Sequence, residues 1–107
     1  MARRWESFHE PTTTAEFLSI PQPAQAALKY AMERYAKGQD VGWMVKDYGG
    51  GLSMLKPRNR TAGRCLFTAR PEGGTERLIA LLFYKKESDE APNALIEAAR
   101  KRMDALG

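Results

Sequence analysis

The run Arg77-Leu78-Ile79-Ala80-Leu81-Leu82-Phe83-Tyr84 constrains this chain more than any other feature. After Arg77 it is apolar without alternation. A strand of that kind must be covered on both faces and sits inside a sheet. Its length rules out a membrane span, since no stretch of the chain approaches the eighteen apolar residues a span requires. The strand before it is Arg64 to Arg70, joined to it through the hairpin loop Pro71-Glu72-Gly73-Gly74-Thr75. A shorter strand, Leu52 to Lys56, precedes both. After the apolar run come Lys85 and Lys86, then a helix. Ser88-Asp89-Glu90 offers capping oxygens, and Pro92 falls in the first turn. The helix has an inner stripe of Leu95, Ala98, Ala99, Arg102, Met103 and Leu106. Arg100, Lys101 and Arg102 stand near its C-terminal end, where the dipole favours cations.

The N-terminal half is mostly helical. Residues 3 to 10 alternate loosely, with Trp5, Ser7 and His9 on one face, and predict a short strand that Pro11 ends. Thr12-Thr13-Thr14 would cap a short helix around Ala15 to Ser19. Pro21-Gln22-Pro23 opens a longer helix whose stripe is Ala24, Ala27, Leu28, Ala31, Met32 and Tyr35, with Gly38 as its stop. Residues 38 to 51 read as a connection held down by Trp43 and Val45. Gly49-Gly50-Gly51 is no phosphate-binding loop, because no Gly-Lys-Ser/Thr follows and a strand comes next. The expected fold is α+β: a small antiparallel sheet of three to four strands, with the N-terminal helices and the C-terminal helix on one face. A chain of 107 residues suits one such domain over 1–107.

Composition narrows the chemistry. The lone Cys65 lies in an apolar strand and reads as a small buried side chain in a reducing, cytoplasmic setting. The N-terminus carries Arg3 and Arg4 with no apolar stretch behind them, unlike a secretory signal. One histidine and one cysteine, far apart, give no metal site and no histidine triad, and no cofactor is expected. The net charge is +4. Lys56, Arg58, Arg60, Arg64, Arg70 and Arg77, against Glu72 and Glu76, supply that whole excess. Such clustering fits a nucleic-acid or acidic-protein partner, and composition alone leaves a merely solvated face equally open.

Strand direction brings part of this charge together. Lys56 ends one strand, Arg64 begins the next, and Lys85-Lys86 ends the third. In an antiparallel meander these positions meet at one end of the sheet. Cations there would hold a phosphate and stabilise a phosphorane-like transition state. RNA carries its own nucleophile in the 2'-hydroxyl, so cleavage needs only positioning, proton transfer and charge stabilisation. A lysine crowded by other cations has a depressed pKa and suits proton transfer. A phosphate-binding surface without chemistry is the simpler alternative.

The segment Leu81-Leu82-Phe83-Tyr84-Lys85-Lys86-Glu87-Ser88-Asp89-Glu90-Ala91-Pro92, followed by Ile96-Glu97-Ala98-Ala99-Arg100-Lys101-Arg102, resembles the C-terminal signature of the HigB branch of the RelE/ParE toxin superfamily. Phe17 to Leu28 is similar to that family's opening helices. Gly50-Gly51-Leu52-Ser53-Met54-Leu55-Lys56 is similar to its Gly-Leu-x-Glu-Leu-Arg strand. Arg64 stands at the arginine of its Tyr-Arg-x-x-Tyr step. The resemblance implies a type II toxin that cuts translated mRNA on the ribosome without metal, neutralised by a HigA-like antitoxin with a helix-turn-helix domain. It assigns Arg64 to the scissile phosphate, and Lys85 and Lys86 to phosphate contact or proton transfer. Lys56, Arg58, Arg60 and Arg70 are the expected RNA-binding residues. Met54 departs from the family's glutamate, which would leave a site built from cations alone. Cys65 and Phe67 depart from its aromatic run.

Two other readings stay open: a ParE-like inhibitor of a protein target such as DNA gyrase, and a relative that only binds RNA or protein. Neighbours on a strand face opposite ways. If Phe83 faces the helices, Tyr84 and Lys86 face the open side, which favours Lys86 over Lys85.

Overall fold

Why a sheet of this width forms is clearest from the two glycines at Gly50 and Gly51. Both have positive φ, +64° and +89°, the backbone that a two-residue hairpin turn demands. They join β2 (Trp43–Gly49) to β3 (Leu52–Pro57). The computed structural model describes residues 2–8, 10–59, 61–88 and 90–107. The remaining elements are β1 (Ala2–Ser7), α1 (Glu10–Leu18), α2 (Gln22–Ala36), β4 (Gly63–Glu72), β5 (Thr75–Lys85) and α3 (Asn93–Ala105). His9, Arg60 and Asp89 lie outside the described residues, so the expectations placed on them have no structural counterpart here.

The sheet has five strands in the order β1-β5-β4-β3-β2. It is mixed, because β1 runs parallel to β5 while the other pairs are antiparallel. The fold is α+β, but the expected antiparallel sheet of three to four strands is corrected on both counts. The extra strand is β2, in the segment whose sequence predicts a connection. As an edge strand it keeps Met44, Val45, Lys46 and Asp47 exposed, so no hydrophobic alternation marks it. At the other edge, Pro11 does not end a strand. It stands in the first turn of α1, where proline is tolerated.

The helices do not share one face. Ile20 and, from α2, Ala24, Leu28 and Ala31 pack on Leu55, Cys65, Phe67, Leu78, Ala80 and Phe83. On the opposite face, Ala99 with Leu95, Ile96 and Met103 of α3 packs on Leu52, Met54, Leu66, Ile79, Leu81, Leu82 and Tyr84. The apolar run of β5 thus feeds two cores. A bulge serves both: Leu66 pairs with Leu82 and Phe67 with Ala80, so Leu81 is the extra residue. It turns Leu81 and Leu82 to the same side. Phe83 meets Phe17 edge-on at 5.3 Å on the α1–α2 side. Tyr84 therefore faces α3, not an open side. The expected side-chain cap from Ser88 to Glu90 is also absent among the described residues. Pro92 occupies the N-cap without a side-chain hydrogen bond.

Beyond Ala80, β1 no longer covers the outer edge of β5. An ion pair takes over. Arg102 binds Glu16 at 2.7 Å and donates to the carbonyl of Leu81 at 2.7 Å, while the Phe83 amide donates to Glu16 at 3.2 Å. The bare edge is thereby satisfied by α1 and α3 together, which removes a template for strand addition.

Candidate functional site

Four neighbouring strands place Met44, Lys56, Arg64 and Tyr84 in one row. Met44 pairs with Lys56, and Arg64 pairs with Tyr84. Lys56 lies one step past the last registered β3–β4 pair, Leu55 with Cys65, which sets it beside Arg64. The row stands on the α3 side of the sheet, past the end of the apolar packing. A cleft of about 420 Å³ opens there, lined by Met44, Lys56, Pro57, Arg58, Asn59, Thr61, Ala62, Arg64 and Lys86. Among these described lining residues the charge is carried by Lys56, Arg58, Arg64 and Lys86, with no carboxylate.

Each cation is held by its element. Arg64 is only 6% exposed. Its guanidinium donates to the carbonyls of Thr61 and Gly63, both at 2.8 Å. A planar fork fixed in this way is organised before any ligand arrives. The Lys86 amide donates to the Ala62 carbonyl at 2.6 Å, which carries strand pairing one residue past the Gly63–Lys85 pair. Arg58 donates through Nε to the Trp43 carbonyl at 3.0 Å, so the segment after β3 is tied back to β2. The segment after β5 crosses toward the same strand. Lys46 pairs there with Glu90 at 2.5 Å, and Glu90 raises the Lys46 ammonium above the usual lysine range.

Strand parity separates the two terminal lysines. Lys86 lines the cleft; Lys85 is exposed and does not. Arg70 stands at the far end of β4, roughly 20 Å of strand from Arg64. It donates to the carbonyls of Gly107 at 2.8 Å and Met103 at 3.4 Å, at the C-terminal end of α3. Positions the sequence did not single out also line the cleft: Met44, Asn59 and Thr61. Asn59 and Thr61 lie in the basic segment 57–63, where residue type alone did not separate wall from linker. Met44 lies in β2, whose exposed residues carry no strand pattern in the sequence.

A larger hollow, about 660 Å³, lies beside Tyr35 and Trp43. Its arginine, Arg3, is already engaged by Glu76 at 2.9 Å and lies over the Tyr35 ring. The smaller cleft therefore holds the concentration of positive charge suited to an anion. Cys65 is fully buried, and burial pushes its thiol up, so it is no nucleophile. Among the described residues no group of His, Cys, Asp and Glu side chains is arranged to hold a metal ion.

The comparison with known families decides the assignment. The model of the phage-derived protein Gp49-like family (DUF891) matches residues 15–104. The chain belongs to the Gp49-like family. This is a RelE/HigB-type toxin-like family, associated with the toxins of toxin–antitoxin systems. Its members are often endoribonucleases, and the family suggests partnership with an antitoxin. The Gp49-like match takes in the C-terminal end of α1, all of α2, every strand that builds the cleft, and nearly all of α3. No curated protein matches the chain. No helix among the described residues is long and apolar enough to cross a membrane.

Proposed function

We propose that this protein is the toxin of a type II toxin–antitoxin pair and acts in the cytoplasm as a metal-independent, ribosome-dependent mRNA endonuclease. The observation that carries the reading is the gathering of Lys56, Arg58, Arg64 and Lys86 around one cleft at the sheet end. Four cations on a half-buried wall suit a phosphodiester, whose transition state gains negative charge on the non-bridging oxygens.

In the proposed reaction the 2'-oxygen attacks the adjacent phosphorus. The O2'–P bond forms and the P–O5' bond breaks. The 2'-hydroxyl proton leaves to a base and a proton reaches the departing 5'-oxygen. Arg64 stabilises the phosphorane, since its fork is held fixed by the Thr61 and Gly63 carbonyls. Lys86 contacts the same phosphate and serves in proton transfer. Lys56 holds the flanking backbone, and Arg58 contacts the RNA beside it. The ribosome presents the mRNA in an in-line geometry, which a small open cleft does not impose by itself. A HigA-like helix-turn-helix antitoxin, encoded beside the toxin gene, neutralises it by direct binding.

Controlled expression in a bacterial host, with mRNA ends mapped by primer extension, tests the reading. Cuts in codon register within translated mRNA are expected, with none on the same transcript when it is untranslated. Growth arrest without register cuts would sink the nuclease assignment.

A further inference from the structure

Part of the cleft wall is of no use to a phosphate. Met44 is 45% exposed and offers a polarisable thioether within a cationic surface. It is the cross-strand partner of Lys56. Beside it the Arg58 guanidinium is fixed to the Trp43 carbonyl through Nε, and its backbone amide to the Gly42 carbonyl at 3.3 Å, so its plane has a defined seat on β2. The third group is Asn59. The Thr61 hydroxyl donates to Asn59 Oδ1 at 2.8 Å, which engages the acceptor and leaves the amide nitrogen as a donor. No acceptor for that nitrogen is found among the described residues.

An apolar thioether, a seated guanidinium plane and an amide donor are what an unstacked nucleobase requires. The base needs a polarisable face to lie on, a cationic plane to stack with, and a hydrogen bond on its edge. We infer that Met44, Arg58 and Asn59 form a base-recognition subsite that holds one ribonucleotide base next to the phosphate-binding Lys56, Arg64 and Lys86. The inference rests on the RNA-cleaving reading and adds which residues choose the nucleotide. The Asn59 amide selects a base edge that carries a carbonyl oxygen or an unprotonated ring nitrogen. The four bases differ in where they carry such acceptors, so they bind unequally.

The test is titration of the full chain with inorganic phosphate, ribose 5-phosphate and each of the four ribonucleoside 3'-monophosphates, followed by NMR or calorimetry. The best nucleotide should bind about tenfold more tightly than ribose 5-phosphate. Met44→Ala and Asn59→Ala, each in an exposed position, should bring that ratio toward one while leaving inorganic phosphate binding unchanged. If phosphate binds but the bases add nothing, or if both variants keep the full ratio, the subsite is overturned and the phosphate cleft stands. If neither phosphate nor nucleotide binds, the subsite and the cleft's role in RNA cleavage fall together.

Discussion

The Tyr84 hydroxyl donates to the Met54 sulfur at 3.2 Å, in the buried layer directly behind the cationic row. A thioether is a weak acceptor, but it gives this buried donor a partner. Met54→Leu keeps the volume and removes the acceptor, so it should cost about 1–2 kcal/mol of stability in urea unfolding. Adding Tyr84→Phe should restore part of that loss. A double variant less stable than Met54→Leu alone would show that the contact contributes nothing.

The same tyrosine gives the fold an alkaline limit. Burial, reinforced by the nearby Tyr48, pushes the Tyr84 hydroxyl up to about 12 from 10.0. Between those values the unfolded chain releases the proton and the folded chain keeps it. The folded state then binds more protons, so stability falls as pH rises. The contribution is complete below pH 10 and lost by about pH 12. Allowing for partial solvent screening, the loss should be roughly 1–2 kcal/mol. Tyr84→Phe should flatten this segment of the stability–pH curve. An unchanged slope would assign the alkaline limit to another group, with Tyr35, also raised by burial, the next to test.

Glu16 and Arg102 close the bare edge of β5. Arg102→Met removes the ion pair and the donor to the Leu81 carbonyl, leaving Glu16 partly buried without its cation. A loss of about 2–4 kcal/mol is expected by thermal or urea unfolding. Size-exclusion chromatography should also show association, because the edge becomes free to pair. Loss of stability with a strictly monomeric profile would mean that α1 alone still guards the edge.

Gly63 marks where β4 passes under α2. A Cβ there would lie 3.1 Å from the Ala24 carbonyl oxygen and 3.3 Å from Leu28 Cβ. Helix backbone yields little, so the strand must move and carry Arg64 with it. Gly63→Ala should cost about 1–3 kcal/mol and lower RNA cleavage more than Arg70→Ala, which acts at the other end of β4. Equal activity for the two variants would show that Arg64 tolerates displacement.

Lys85 and Lys86 offer a paired comparison. Lys86 lines the cleft and Lys85 does not. Under the proposed mechanism Lys86→Ala should reduce single-turnover cleavage by about 10²-fold or more, while Lys85→Ala should remain close to wild type. Arg64→Ala should lose a similar or larger factor through the transition-state charge. Full toxicity in both Arg64→Ala and Lys86→Ala would refute the site assignment.

Much of this architecture was readable because its signals are local. The stripe from Ala24 to Tyr35 specifies α2, and the unbroken apolar run from Leu78 to Tyr84 requires a strand covered twice. The meeting of Lys56, Arg64 and Lys86 follows from antiparallel direction plus a period of two, which separates Lys86 from Lys85. β2 was not readable, because an edge strand exposed along Met44 to Asp47 carries no burial pattern. Nor was the placement of α3 opposite α1 and α2, although the doubly apolar β5 already needed two covers.

What the residues determine alone is therefore each element's period, its stops and the charge at its ends, since these depend on neighbours in the chain. Tertiary structure decides which face each element covers, because burial is shared between segments far apart in sequence. The bulge at Leu81 is set by pairing with β4, the edge of β5 is closed by Glu16 and Arg102 from two different helices, and Met44 and Asn59 become cleft wall only when β2 closes beside Lys56.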